Sequence, residues 1–150
     1  MVASCDGGDA CSGIFPNYHE GLCWSDPFLD TMNWSDANTH CQNLGGRLPT
    51  ISELRTLIQN CPATQTGGSC GVTDSCLSSY CRDSSCDGCS SDSSGKYNVF
   101  GHTGWFWSSS AYLYNADFVW YVLFINGDVL TILKSYTNYA MCVRLMAEPQ

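Results

Sequence analysis

The sequence predicts an α+β domain that carries a disulfide-rich insert, and three observations lead there. Two stretches in the first half, 33–46 and 50–60, combine helix caps with apolar residues at helical spacing. Near the C-terminus, the aromatic and apolar stretch from Gly104 to Arg144 holds Asn126-Gly127 between two apolar runs, a strong local signal for a tight hairpin. Eleven cysteines in 150 residues call for covalent staples, and six of them fall between Cys61 and Cys89.

A chain of 150 residues is one ordinary domain, long enough for a real core. Its 6 basic and 14 acidic side chains give a net charge of −8, which argues against nucleic acid or an anionic membrane as the main partner. Low charge content beside abundant Ser, Gly, Asn and Tyr, with so many cysteines, points to an extracellular or cell-surface location. Neither a signal peptide nor a membrane span is visible, which fits a mature or trimmed form with Met1 added. Val2-Ala3-Ser4-Cys5 fits the end of a bacterial lipoprotein signal, so membrane contact would come only through a lipid anchor at Cys5. The alternative is that Cys5 is an ordinary disulfide cysteine.

Residues 1–20 are rich in Gly and Asp and read as an irregular lead-in, followed by a short first strand at Gly21 to Trp24 and a loop from Ser25 to Met32. Asn33 can cap the first helix, with Asp36 at the third position and Gly45-Gly46 at its end. Trp34, Ala37, Cys41 and Leu44 form its buried face, and His40 beside them reads as a packing or surface residue. Arg47-Leu48-Pro49 is an extended link. Thr50 and Glu53 form a capping box for a second helix, ending near Asn60, with Ile51, Leu54, Leu57 and Ile58 facing inward. From 61 to 96 large apolar residues are scarce, so Cys61, Cys70, Cys76, Cys81, Cys86 and Cys89 must staple the segment. Three disulfides are the favoured reading; zinc on Cys76, Cys81, Cys86 and Cys89 is the alternative, since Cys86 and Cys89 have metal-like spacing.

With Asn126-Gly127 as a two-residue turn, Ile125 would pair with Asp128, Phe124 with Val129 and Leu123 with Leu130. Alternation then places Trp120, Val122, Phe124, Val129, Thr131 and Leu133 on one face and Tyr121, Leu123, Ile125, Asp128, Leu130 and Ile132 on the other. Continuous apolar runs usually mean a strand covered on both sides. The competing reading is an exposed apolar face that binds a partner.

Signals of catalysis are thin. His19, His40 and His102 are isolated, Ser108-Ser109-Ser110 lacks a nucleophile elbow, and Gly45-Gly46 ends a helix where a phosphate loop would open one. Asp26 and Asp30 could coordinate calcium, but loop carboxylates are usually just solvated.

A set of motifs carries a family resemblance. Gly21-Leu22-Cys23-Trp24, Met32 to Ala37 with Cys41, Leu44 to Thr50 with Glu53-Leu54, Phe106 to Ser110, Val119 to Val122, Phe124, Asn126-Gly127 and Cys142-Val143-Arg144 resemble the Lcl C-terminal domain family and the related major paralogous domains. The likeness spans about residues 21–144; the Cys61–Cys89 insert lies outside the shared core, and Cys23 stands where the family often has Met. It implies a C-type lectin-like fold over 21–146, with two helices packed on a small, mostly antiparallel sheet. It also implies a Cys41–Cys142 disulfide. Either Cys5 then pairs with Cys11 and Cys23 is a buried thiol, or Cys11 pairs with Cys23 and Cys5 is free or lipidated. The lectin calcium motifs are missing, so no cofactor is expected.

Some proteins with the implied fold are diversified by retroelements that mutate adenines in a C-terminal repeat. The residues at Ala111 to Tyr114, Asp117, Phe118, Leu123, Ile125, Leu130 to Leu133 and Ser135 to Asn138 are all reachable from AAC or AAT codons, whereas Trp120, Lys134 and Met141 are not. The resemblance therefore implies a secreted or surface-displayed module binding a protein or glycan. Its expected face is Tyr112, Tyr114, Phe118, Tyr121, Leu123, Ile125, Leu130, Ile132, Tyr136 and Asn138. Two alternatives stand: an enzyme of the formylglycine-generating type, which needs a reactive cysteine pair, or a structural envelope protein.

Overall fold

The computed structural model describes residues 11–146, so Cys5, the residue expected to carry a lipid anchor or a disulfide, lies outside the described residues. Eight elements follow in order: β1 (Asn17–His19), β2 (Leu22–Trp24), α1 (Trp34–Asn43), α2 (Ile51–Arg55), β3 (Trp105–Ala111), β4 (Phe118–Leu123), β5 (Asp128–Leu133) and β6 (Val143–Leu145). The architecture is α+β, with the strands in two separate three-stranded antiparallel sheets, β1-β2-β6 and β3-β4-β5, where a single sheet was expected.

Two local devices build the first sheet. Glu20 and Gly21 both take left-handed backbone angles, φ 52° and 80°, which is the turn whose twist suits a two-residue hairpin. Residues 17–19 are thus a strand, not part of an irregular lead-in; a sequence rich in Gly and Asp hid a three-residue strand whose side chains are only partly covered. The Cys11–Cys23 disulfide fastens this hairpin from outside, deciding between the two pairings left open above.

Helix α1 forms as its caps dictate. Asn33 Oδ1 accepts the Asp36 amide at 2.9 Å, and at the far end the amides of Gly45 and Gly46 bond the Gln42 and Cys41 carbonyls at 3.0 and 2.9 Å. Gly45 takes φ +87°, and a Cβ on Gly46 would stand 2.6 Å from the Val143 carbonyl, so both glycines are required. Ala37 and Cys41 are fully buried, and Cys41 is bonded to Cys142.

Helix α2 is shorter than its sequence suggests. Its capping box is complete: the Glu53 amide donates to Thr50 Oγ1 at 3.2 Å, and the Thr50 amide to Glu53 Oε1 at 2.9 Å. It stops at Arg55 rather than near Asn60, because the next amides turn back three residues, Leu57 to Leu54 and Ile58 to Arg55, and Asn60 goes left-handed at φ 61°. The tightened turn still buries Ile51, Leu54, Leu57 and Ile58, so the inward face holds although the helix does not continue.

The insert hangs on three disulfides, Cys61–Cys89, Cys70–Cys86 and Cys76–Cys81, which use all six of its cysteines, among them the four that the zinc alternative needs. Inside it lies the buried Arg55 side chain. Its guanidinium donates to the carbonyls of Thr64, Gln65 and Val72 at 3.0, 3.0 and 2.5 Å, and burial pulls its pKa down. Backbone carbonyls alone satisfy this cation, so it organises the insert's path as a bound ion would.

Two measurements check these devices. Arg55→Ala leaves the Thr64 and Val72 carbonyls without the donor that Arg55 supplies and should lower the unfolding free energy by on the order of 3 kcal/mol in urea titration; a loss within experimental error would remove Arg55 as the organiser. For Glu53, burial raises the pKa, but hydrogen bonds from Arg47 and Thr50 outweigh it and hold the carboxyl below its ordinary value. A depressed folded pKa gives stability that is present above the unfolded value and lost as pH falls through the folded one. Glu53→Gln should therefore cost roughly 1 kcal/mol at pH 7, and the gap to wild type should close below about pH 4. A pH-independent gap would show that the charge is not what matters.

Candidate binding site

The β4–β5 hairpin closes differently from the expected two-residue turn. Leu123 pairs with Asp128, Val122 with Val129 and Tyr121 with Leu130, leaving a four-residue loop of Phe124, Ile125, Asn126 and Gly127. The Gly127 amide bonds the Leu123 carbonyl at 2.7 Å, with Gly127 at φ +79°. Phe124 is fully buried and packs with Phe106, ring centroids 5.5 Å apart. Burial of that ring takes Phe124 and Ile125 out of the ladder and shifts the register by two residues. A two-residue shift leaves face membership unchanged, so the two predicted sets remain on their own sides.

The two faces are covered unequally. Phe106, Trp120, Val122 and Val129 pack with α2 residues and with insert residues Val72, Cys70 and Cys86. On the opposite face, Trp107 and Val119 pack against Ala37, Cys41 and Leu48, with Ile132 at the margin. At the other end of that second face, Trp105, Leu123 and Asp128 form one cross-strand row and Trp107, Tyr121 and Leu130 the next. Trp105, Leu123 and Leu130 belong to neither core, and Trp105 is 48 % exposed.

The ten expected face residues do not share one surface. Leu123, Leu130 and Ile132 lie together on the second face, partly exposed. Phe118 pairs with Leu133 on the first face, and Tyr112 packs edge-on to Trp120 and to Tyr114, so these three gather near the insert. Ile125 sits in the loop and Tyr136 in the exposed turn after β5. Two residues are not displayed. Tyr121 is only 7 % exposed, because it sits in the central strand flanked by Trp107 and Leu130. Asn138 is 1 % exposed, because its backbone bridges to Met32 in the segment that crosses between the sheets. Trp105 and Tyr139, neither expected at a site, are exposed aromatic rings beside this face. Strand alternation from Trp107 could have found Trp105; nothing in the sequence marks Tyr139.

The insert clamps the hairpin loop. The Cys89 and Asp92 amides donate to the Asn126 and Ile125 carbonyls at 2.7 and 2.8 Å, and a Cβ on Gly88 would lie 2.5 Å from Asn126 O. Arg82 reaches β5, donating to Val129 O at 2.7 Å and Asp128 at 3.1 Å. Burial raises the Asp128 pKa despite Arg82, and burial together with Asp128 raises that of Tyr121.

Chemistry-bearing side chains are dispersed. The ten described cysteines form five disulfides. His19 contacts the Thr56 carbonyl, His40 packs on Phe28, and His102 lies between Phe100 and Phe106. Among the described residues, no group of three or more His, Cys, Asp or Glu could hold a metal ion, and no helix is long and apolar enough to cross a membrane.

Comparison with known proteins now bears on this geometry. The Lcl C-terminal domain family matches residues 13–144. The chain belongs to that family. No curated protein and no solved structure matches it. The Lcl C-terminal domain here takes in β1 and runs across the Cys-rich insert to β6, and its five disulfides fit an extracellular protein.

Gly127 tests the clamp. An alanine there would be strained at φ +79° and its Cβ would stand 3.0 Å from Thr64 Oγ1. Gly127→Ala should cost roughly 1–2 kcal/mol and speed hydrogen exchange at the Cys89 and Asp92 amides more than in α1. Equal acceleration everywhere would mean that loop and insert are not locally coupled.

Proposed function

We propose that this Lcl C-terminal domain is a secreted or surface-displayed binding module of C-type lectin-like fold, which engages a protein or glycan through the C-terminal hairpin and its flanking loops. Binding, not catalysis, is its proposed role, and the face is proposed to be diversified by a retroelement. One observation carries the reading. The sixteen codon-accessible residues named above, Ala111 to Tyr114, Asp117, Phe118, Leu123, Ile125, Leu130 to Leu133 and Ser135 to Asn138, are all partly or fully exposed except Asn138. The interleaved Val119, Trp120, Tyr121, Val122, Phe124, Val129 and Met141 are all buried. Mutagenesis confined to such positions would vary the surface and spare the core.

Leu123 and Leu130, in adjacent cross-strand rows beside Trp105, support the same reading, since apolar side chains outside either core favour a partner that covers them. Exposed Tyr114 and Tyr136 add large contact area at low entropy cost. Wild type and the triple variant Leu123→Ala, Ile125→Ala, Tyr136→Ala should be compared on arrays of cell-surface proteins and glycans. The variant should lose the partner that wild type captures while its Tm falls by no more than about 5 °C. Collapse of thermal stability would make these residues core and end the assignment. A neighbouring reverse transcriptase gene with a near-copy of the 3′ repeat would support diversification; absence of both would remove it.

A further inference from the structure

Among the ten described cysteines, eight are buried, Cys89 is half-buried, and Cys76 alone is exposed. Cys76 is bonded to Cys81 in the shortest of the five closures, with a separation of 5 residues against 12, 16, 28 and 101 for the others. The pair brackets residues 77–80, of which only Leu77 bonds to a distant part of the chain. Leu77 O accepts the Trp120 indole N–H at 3.0 Å and the Leu113 amide at 3.1 Å. Both donors belong to the insert end of the proposed face. Tyr112 packs edge-on to Trp120 and Tyr114 packs edge-on to Tyr112, while Leu113 and Tyr114 are exposed.

We infer that the Cys76 sulfur is a thiol-exchange site, and that a dithiol acting there opens the Cys76–Cys81 bond and frees the turn at 112–117. The consequence for binding rests on the reading of the domain as a binding module, and it gives that face a redox control.

The exchange is a balanced two-electron step. One thiolate of the dithiol attacks Cys76 Sγ, the S–S bond breaks, and its electron pair leaves on Cys81. Ser78 Oγ lies 3.4 Å from Cys81 Sγ, and a disulfide sulfur carries no hydrogen, so the hydroxyl is the donor and stabilises the departing thiolate. The second thiolate of the dithiol then attacks its own sulfur in the mixed disulfide and expels Cys76. The dithiol leaves as a disulfide, and both cysteines take protons. Access selects this bond, because in the other four at least one sulfur belongs to a residue that is fully buried and none belongs to an exposed one. Loop length makes it reversible. A closure of 5 residues restrains the unfolded chain least, so opening it spares the fold, whereas opening Cys41–Cys142 would not. What opening releases is the loop that presents Leu77 O, and with it the partner of a buried indole.

The test treats the full chain with graded dithiothreitol at neutral pH, traps thiols with iodoacetamide, maps them by mass spectrometry, and follows hydrogen exchange by NMR. Cys76 and Cys81 should be alkylated before any other pair. In that two-thiol species the Leu113 amide and the Trp120 indole should exchange about tenfold faster or more, the factor for one lost hydrogen bond, while the α1 amides hold. Reoxidation should restore the slow rates. The double variant Cys76→Ser, Cys81→Ser should show the fast rates without reductant; should it fail to fold, the wild-type titration decides alone. Ser78→Ala should slow the opening without changing exchange in the oxidised protein, and an equal rate would overturn Cys81 as the leaving sulfur. Two results would overturn the whole inference: another pair reduced first, or reduction at Cys76 and Cys81 that leaves Leu113 and Trp120 unchanged. These readouts involve no ligand, so their failure leaves the binding module standing. An array partner indifferent to the hairpin triple variant would remove the hairpin face and leave the exchange site standing.

Discussion

The segment from Asn138 to Leu145 is the constraint on which the rest depends. It bridges to Met32, bonds Phe28 through Ala140 O, takes Ser25 Oγ on the Cys142 amide at 2.8 Å, and exchanges both backbone bonds with Arg47 at Val143 before entering the first sheet as β6. Cys142 then locks it to α1 across 101 residues of sequence. Closing a loop of that length in the unfolded chain is worth about 4.7 kcal/mol in the chain-entropy account, more than any single hydrogen bond here. Through this segment two small sheets, each marginal alone, become one folded unit.

The insert is the second dependency, and it is integrated, not appended. Its cystines supply apolar surface to the core beneath Trp120 and Val129, replacing the large aliphatic side chains that its sequence lacks. Arg55 gives it an internal cation, and Arg82 ties it to the edge strand β5. An edge strand otherwise offers unpaired backbone groups to other chains, so the contact also guards the hairpin against wrong pairing.

How much of this was legible varies with the range of the interaction. Caps at Asn33 and Thr50 and the Gly45-Gly46 stop are local chemistry, and the chain follows them. The inward face of α2 was legible, but its length was not, because the chain tightens after Arg55 into three-residue backbone bonds and turns left-handed at Asn60. Hairpin face membership was legible from alternation; its register was not, because the burial of Phe124 against Phe106 overrides the preference for a tight Asn-Gly turn. The Cys11–Cys23 pairing was open because it depends on a three-residue strand that periodicity does not reveal. At the site, Tyr121 and Asn138 were expected at the surface as part of the face that the family resemblance implies, and the central strand and the bridge to Met32 put them inside.

Those two displacements have different consequences. Tyr121 is flanked by Trp107 and Leu130, and its raised pKa reflects burial beside Asp128, so it supports the row above it without touching a partner. Asn138 keeps its side-chain amide unpaired inside the protein, while its backbone is held by the bridge to Met32. A substitution there would leave the bridge to Met32 in place, since that bridge runs through main-chain atoms alone. Trp105, whose row includes Leu123, is tied to Tyr139 by a backbone bond, so the exposed apolar edge of the hairpin continues onto the segment that joins the two sheets.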